Sequence, residues 1–274
     1  MLFLLSQMSE ETKNSEMSFL GHLEEMRWRL VKSTAAILVV AIIIFINTRF
    51  VIDNVFMAMK SPDFPTYRFF CWVSQQLGFE NMCLGEIPIN LQSITTTGQF
   101  TTNMYFAFIG GFIITFPFIF HQFWSFLKPA LKNNEIKVAK GSVFYGSLLF
   151  TLGILFGYFV VSPLSVQFFG TYSMSDEFSN NFTITSYLSM ITTTTLFSGL
   201  FFELPMIIMI LAKLDIVSTS LLKKYRKHAL VGILILAAVI TPPDIISQVL
   251  VAIPVLILYE IGILVAKRIE IARK

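Results

Sequence analysis

The sequence predicts an all-α polytopic membrane protein with six transmembrane helices and with both termini on the cytoplasmic side. Two observations support this fold class. Of the 274 residues, 55% are hydrophobic and 14% are charged, and the mean hydropathy is +0.71. A soluble core cannot cover that much apolar surface, so lipid has to cover part of it. The second observation is that the basic residues lie in alternate segments between the apolar stretches.

The apolar stretches supply the six predicted helices. A bilayer core of about 30 Å needs roughly 20 apolar residues in a helix. Five stretches meet or approach that length and one is shorter. In order, they cover about 30–47, 100–120, 143–169, 184–212, 229–241 and 245–265.

The fifth stretch is the short one. About 13 residues at 1.5 Å each cover roughly 20 Å, and Pro243 disfavours helical geometry in the residue before it. One interpretation is that this edge of the protein thins the bilayer. The other is that snorkelling by Lys227 and flanking structure make up the missing length.

The distribution of Lys and Arg predicts the orientation. Of the 20 basic residues, 17 lie in the N-terminal segment, the second loop, the fourth loop and the C-terminal tail. The alternate loops hold only Arg49, Lys60 and Arg68. By the positive-inside rule, both termini are then cytoplasmic, and the chain is a multi-pass protein of a bacterial inner membrane. The net charge of +3 is accordingly a topology signal, and no nucleic-acid partner is expected.

These segments define the expected organisation of the chain. Residues 1–17 form a tail that we expect to be disordered, 18–266 form the membrane domain, and 267–274 form a basic cytoplasmic tail. A long outer loop, about 48–99, holds both cysteines, Cys71 and Cys83. A disulfide between them is one interpretation, because an outer loop faces an oxidising compartment. Two unpaired thiols are the other, since spacing alone does not supply disulfide geometry.

Motifs for catalysis or metal binding are missing from the sequence. The three histidines lie in different loops, and there is no HExxH, GxSxG, P-loop or CxxC pattern. We therefore expect neither an enzyme nor a bound cofactor.

Acidic residues near the first span are candidate binding groups. Residues 18–30 carry an apolar helical stripe and are expected to lie along the cytoplasmic interface before turning into the first span. The stripe consists of Phe19, Leu23, Met26 and Leu30. On this helix Glu24 and Glu25 lean toward water. Ordinary helix pairing, Glu24 with Arg27 and Glu25 with Arg29, would by itself explain both acids.

Two further acids lie at informative positions. Glu135 follows a pair of asparagines and fits the first turn of a helix, where capping alone would explain it. Together with Glu25 it could instead receive a cationic peptide, because carboxylates accept paired hydrogen bonds from guanidinium. Glu203 lies within an apolar span, where a charge costs roughly 2.5–3.5 kcal/mol or more. It predicts either a functional group or a structural hydrogen bond, and Pro205 beside it predicts a kink.

Four sequence motifs together resemble the TatC family, the core subunit of the twin-arginine protein translocase. They occur in the family's order across the predicted spans, and the resemblance runs from about residue 18 to 266. The motifs are FLGHLEEMRWR at 19–29, QFWSFLKPAL at 122–131, FELP at 202–205 and TPPDIISQ at 241–248.

The resemblance implies a concave architecture and assigns roles to particular residues. The implied signal-peptide-binding residues are Glu25, Arg27, Phe126, Pro129 and Glu135. The implied contacts to a partner or to the signal peptide inside the membrane are Glu203, Thr241 and Gln248. For Glu25 and Glu135 the resemblance favours function over simple pairing or capping.

The resemblance also implies partners. They are twin-arginine signal peptides of folded cargo, TatA-type and TatB-type single-span proteins, membrane lipid and further copies of the same chain. Export would use the proton motive force without ATP. The first outer loop looks longer than in the family, so cargo contacts there do not carry over.

A proton-coupled secondary transporter or channel is the alternative class. Glu203 would then be an ion site at mid-membrane. The sequence contains no inverted repeat and no paired broken helices that would favour this class.

Overall fold

The computed structural model describes residues 19–77, 90–127, 141–175, 181–240 and 245–273. Helices dominate these ranges, and two short strands accompany them. The α-helices and strands are α1 (Phe19–Ile46), α2 (Thr48–Val51), α3 (Pro65–Leu77), β1 (Asn90–Gln92), α4 (Gly98–Leu127), α5 (Ser142–Phe156), α6 (Ser162–Thr171), β2 (Asn181–Thr183), α7 (Ile184–Phe202), α8 (Leu204–Lys213), α9 (Thr219–Lys224), α10 (Arg226–Ile240) and α11 (Ile245–Arg273). Short π-helical segments lie at Ile52–Phe56 and Gly157–Val161, and a 3-10 helix lies at Met57–Lys60.

Within the described ranges, five helical segments are long and apolar enough to cross a membrane. They are Leu23–Ile46, Gly98–Leu127, Ser142–Thr171, Ile184–Lys213 and Gln248–Ile271. The third joins α5 to α6 through a π-helical turn, and the fourth joins α7 to α8. These five agree with the long apolar stretches of the sequence.

The predicted short helix is α10. It has 15 residues, and at 1.5 Å per residue it rises roughly 22 Å, less than the thickness of a bilayer core. The prediction of a short helix before the last span is confirmed.

The predicted turn between the interfacial segment and the first span is wrong. α1 is one continuous helix of 28 residues. From His22 to Ile46 it contains neither glycine nor proline, so nothing interrupts its hydrogen-bond ladder. Leu23, Met26 and Leu30 on the predicted stripe are exposed.

Close backbone contacts hold the spans together. α1 packs mainly on α4, and α5 packs on α7. A Cβ atom on Gly111 of α4 would lie 2.8 Å from the carbonyl oxygen of Ile37 on α1. One on Gly153 of α5 would lie 2.6 Å from the carbonyl oxygen of Ser198 on α7. Small residues at these crossings let the helices approach closely, as helices inside membranes commonly do.

Hydroxyl groups add polar contacts between the same helices. The Thr102 hydroxyl on α4 lies 2.9 Å from that of Thr185 on α7. The Ser162 hydroxyl at the start of α6 lies 3.4 Å from that of Thr195 on α7. Such pairs satisfy side chains that lipid cannot hydrogen-bond.

The described part of the loop between the first two spans folds against the ends of the spans. β1 pairs in parallel with β2, so this loop contacts the loop between the third and fourth spans. The Tyr67 hydroxyl on α3 is buried and lies 3.1 Å from the carbonyl oxygens of Met59 and Pro163. This burial raises the pKa of Tyr67 above its ordinary value. The loop is thus anchored from α3 to the third span.

Candidate functional site

Glu25 of α1 holds a guanidinium group. Arg29, one helical turn further along, donates from Nε to Glu25 Oε1 at 2.9 Å and from Nη2 to the same oxygen at 2.5 Å. The two side chains are 27% and 26% exposed, so the pair is accessible to water. The predicted pairing of Glu25 with Arg29 is confirmed. Within the described residues, no ion pair joins Glu24 to Arg27.

Arg29 also connects α1 to the end of α4. Its Nη1 donates to Gln122 Oε1 at 3.3 Å, across 93 residues of sequence. The two helices border a pocket of about 170 Å³ at this position. The pocket is lined by Met26, Arg29, Leu30, Ser33, Ile119, Gln122, Phe123 and Phe126. A carboxylate-bound arginine therefore lies at the edge of a mainly apolar pocket.

The structure brings some predicted binding residues together at this pocket. Phe126 lines it, and Glu25 reaches it through Arg29. Arg27, on the same turn of α1, is exposed. Sequence reasoning treated Arg29 only as a helix partner of Glu25 and assigned no role to Gln122. The signal for Gln122 was its position at the start of the second motif.

Four of the predicted residues lie outside the described residues. They are Cys83, Pro129, Glu135 and Thr241. Cys71 lies on α3 and is disulfide-bonded. Because Cys83 is outside the described ranges, its pairing with Cys71 stays a prediction.

Glu203 lies at the junction between α7 and α8. The chain divides there into two helices, and Pro205 lies in the first turn of the second. The helix is thus interrupted at the position where the sequence predicts a kink. Glu203 is only 6% exposed. The main chain of Phe150 on α5 lies next to the carboxyl group, but neither oxygen has a partner at hydrogen-bond geometry within the described residues.

Other buried polar atoms lie on the helices around Glu203. Ser147 on α5 and Thr194 on α7 each have a buried hydroxyl without a hydrogen-bond partner among the described residues. Buried polar groups normally find partners, so each of these is an unused donor or acceptor. A further polar side chain or a water could hydrogen-bond to them.

Gln248 on α11 has a structural contact. Its Nε2 donates to the carbonyl oxygen of Leu234 on α10 at 3.1 Å. The side chain is half-buried, so part of it is open to a further contact. Gln248 therefore joins the short helix to the last span.

A larger apolar cavity opens between the first four spans. Its volume is about 450 Å³. Ile44 of α1, Phe106 of α4, Ile154 of α5 and Ile191 of α7 are among its lining residues. Most of its lining residues lie on the span-length helices, and the cavity offers an apolar surface to lipid or to a bound segment.

The span-length helices define a multi-pass membrane protein. It has one polar site at the end of a span, where Glu25 holds Arg29, and another within a span, at the buried Glu203. Residues 21–254 match the family described as TatC, Sec-independent protein translocase protein. The chain belongs to the TatC family and is a component of a Sec-independent protein translocase.

Individual relatives match over almost the whole chain. The Sec-independent protein translocase protein TatC of Blattabacterium sp. subsp. Periplaneta americana is 37% identical over 258 residues, which cover 93% of this chain and 97% of that one. TatCy of Bacillus subtilis is 32% identical over 255 residues, covering 93% and 91%. A crystal structure of a twin-arginine translocase receptor, TatC, superposes with a TM-score of 0.69 at 29% identity, covering 91% of this chain and 99% of the other.

Proposed function

We propose that this chain is the signal-peptide receptor of its translocase and binds twin-arginine signal peptides of folded cargo. The observation that carries the proposal is the Glu25 carboxylate, which already holds a guanidinium group beside a mainly apolar pocket. A carboxylate in this setting suits an arginine of a peptide, because guanidinium forms paired, charge-assisted hydrogen bonds that an ammonium group does not reproduce.

The site would use both charge and apolar contact. Glu25 and Glu135 each receive one arginine of the signal peptide at the cytoplasmic face. Residues flanking the arginines rest against Phe126 and Pro129, and the exposed Arg27 lies beside Glu25 on α1 as a further contact for the peptide. The apolar part of the signal peptide lies along the concave wall, for which the cavity of about 450 Å³ offers a surface.

The intramembrane part of the proposal concerns partner proteins. Glu203 forms a polar contact with a helix of a TatA-type or TatB-type protein, and Thr241 and Gln248 add a second polar patch. The Glu203 oxygens are buried, so this contact requires its side chain or a neighbouring helix to shift. The short α10 thins the bilayer where further copies of the chain and its partners assemble.

This mechanism requires a defined orientation. The protein spans a bacterial inner membrane six times, with α10 as the short fifth span and with both termini in the cytoplasm. The proton motive force drives export. The distribution of basic residues supports this orientation.

Crosslinking tests the receptor function. A photoreactive amino acid at Ile136, beside Glu135, is exposed to a signal peptide that carries Arg-Arg or Lys-Lys. We expect strong crosslinking to the Arg-Arg peptide and about 10- to 100-fold weaker binding after Glu25→Gln, which removes a charged hydrogen-bond acceptor. Glu24→Gln is the matched control, because the described part of the chain contains no ion pair of Glu24, and it should leave crosslinking unchanged.

Equal crosslinking to the two peptides would contradict the proposal. The transporter alternative would then have to be tested through Glu203. Proton flux in liposomes that depends on Glu203 but not on a signal peptide would support that alternative.

A further inference from the structure

We propose that Arg29 is an internal competitor for the arginines of the signal peptide. This inference rests on the proposed function of Glu25. In the structure, Arg29 donates two hydrogen bonds to Glu25 Oε1, and Glu25 is the group that would receive the peptide. A peptide arginine can reach the same carboxylate only by displacing Arg29 or by sharing Glu25 with it.

The surroundings of Arg29 favour displacement. Its side chain is a quarter exposed, so water can solvate the guanidinium when it leaves Glu25. It also keeps an acceptor on another helix, Gln122 Oε1, at 3.3 Å from Nη1. When a peptide guanidinium replaces that of Arg29 at Glu25, the hydrogen bonds lost and the hydrogen bonds formed are of the same kind. Arg29 therefore has a second place to hydrogen-bond, and the exchange leaves no buried charge without a partner.

The consequence is a threshold on peptide affinity. When Arg29 occupies Glu25 in a fraction of the molecules, the apparent dissociation constant of every competing peptide rises by the same factor. Arg29 would thus weaken the binding of arginine and lysine peptides equally, and the ratio of their dissociation constants would stay unchanged. At cellular concentrations, only the tighter ligand would still occupy Glu25.

A double-mutant cycle tests this role in the full-length protein. Binding of fluorescent Arg-Arg and Lys-Lys signal peptides is measured in lipid nanodiscs. For Arg29→Gln we expect about two- to fivefold tighter binding of both peptides, the range for a partly exposed ion pair. In a Glu25→Gln background the same substitution should give no gain, because the contested carboxylate is absent.

Lys32→Gln is the matched control. It removes the same charge from the exposed side of α1, two turns from Glu25, and should change binding less than twofold. Arg29→Lys keeps the charge but loses one of the paired bonds, so it should give a smaller gain than Arg29→Gln. It also carries the test if Arg29→Gln does not fold, as judged by thermal unfolding.

Three outcomes would overturn the competitor role while leaving the receptor function intact. They are weaker binding in Arg29→Gln, a gain no larger than that of Lys32→Gln, and a gain that persists in the Glu25→Gln background. Failure of the receptor function itself looks different. In that case the wild-type protein binds both peptides equally, Glu25→Gln changes nothing, and the competitor role falls with it.

Discussion

At the scale of single residues, Glu25 and Glu203 are carboxyl groups with opposite surroundings. The Glu25 carboxylate is paired with Arg29 and is partly exposed to water, so both the ion pair and the solvent stabilise its negative charge. Glu203 is buried without a hydrogen-bond partner among the described residues. An unpartnered buried acid destabilises a protein, and such groups are typical of sites where activity opposes stability. Glu203 is therefore expected to cost stability in the isolated chain.

Replacement of Glu203 by methionine tests that expectation. Methionine has a similar length and no unsatisfied oxygen, so Glu203→Met should raise the free energy of unfolding by about 1–2 kcal/mol. The same variant should lose export and crosslinking to partner helices. Thermal unfolding in detergent and an export assay measure the two effects.

Glu260→Met is the control for Glu203→Met. Glu260 is also on a span, but it accepts from Arg226 Nη2 at 2.6 Å, so its removal should not stabilise the protein. The prediction is contradicted if Glu203→Met destabilises the chain, or if export and partner crosslinking both persist.

Tyr67 carries a pH prediction. Its hydroxyl contacts the Met59 and Pro163 carbonyl oxygens, so Tyr67→Phe should cost about 1–3 kcal/mol at pH 7. Burial raises the pKa of Tyr67 in the folded protein, whereas the unfolded chain ionises near pH 10. The unfolded state therefore loses its proton first, and stability falls as the pH rises above about 10.

Thermal unfolding at pH 7 and pH 11 checks the Tyr67 prediction. The decline between the two values should be smaller in Tyr67→Phe than in the wild type. Tyr145→Phe, which removes the hydroxyl of an exposed tyrosine, should leave the decline unchanged. An equal decline in all three proteins would show that Tyr67 does not titrate as its burial implies.

At the scale of elements, the crossing of α5 and α7 depends on Gly153. Its hydrogen faces the Ser198 carbonyl and the Gly199 Cα, at a distance that leaves no space for a side chain. Gly153→Leu should lower the free energy of unfolding by about 1–3 kcal/mol or more, because the helices have to separate. Thermal unfolding measures the loss.

Gly232 on α10 provides the contrast to Gly153. No atom lies within 4 Å of a Cβ built on it, so Gly232→Leu should not lower stability and should raise it by about 0.5–1 kcal/mol through helix propensity. Equal losses in the two variants would mean that general helix effects, and not the crossing, decide the result.

At the scale of the whole molecule, orientation can be tested directly. In a chain with Cys71 and Cys83 replaced by serine, Ser173→Cys places a thiol on the loop between the third and fourth spans, and Ser220→Cys places one on α9. Both positions are exposed. We expect a membrane-impermeant maleimide to label only Ser173→Cys in intact spheroplasts, and both thiols after lysis. Labelling of Ser220→Cys alone would reverse the proposed orientation.

Length and composition were enough to predict most of the helices. The long apolar stretches and the short stretch before Pro242 depend on local sequence, and a helix in lipid satisfies its own backbone. The same local reasoning was wrong about α1. Its apolar stripe is typical of an interfacial segment, but a stripe does not bend a helix that has no glycine or proline at the boundary.

The candidate site was predictable only in part. The spacing of Glu25 and Arg29 at i and i+4 indicated their ion pair, because both residues are on one helix. Gln122 lies 93 residues from Arg29, and no local pattern indicates that these two side chains meet. The position of Glu203 within an apolar run marked it as unusual, whereas its lack of a partner depends on how α5 packs against it.

The sequence by itself thus determined the membrane class, the positions of the long apolar helices and the family, since these depend on local hydrophobicity and short motifs. The tertiary structure alone decided which polar groups meet. It placed Arg29 between Glu25 and Gln122, buried the Glu203 oxygens beside α5 and paired β1 with β2. The physical reason is that hydrogen bonding and burial depend on atoms brought together from distant parts of the chain, whereas helix formation in a membrane depends on neighbours in sequence.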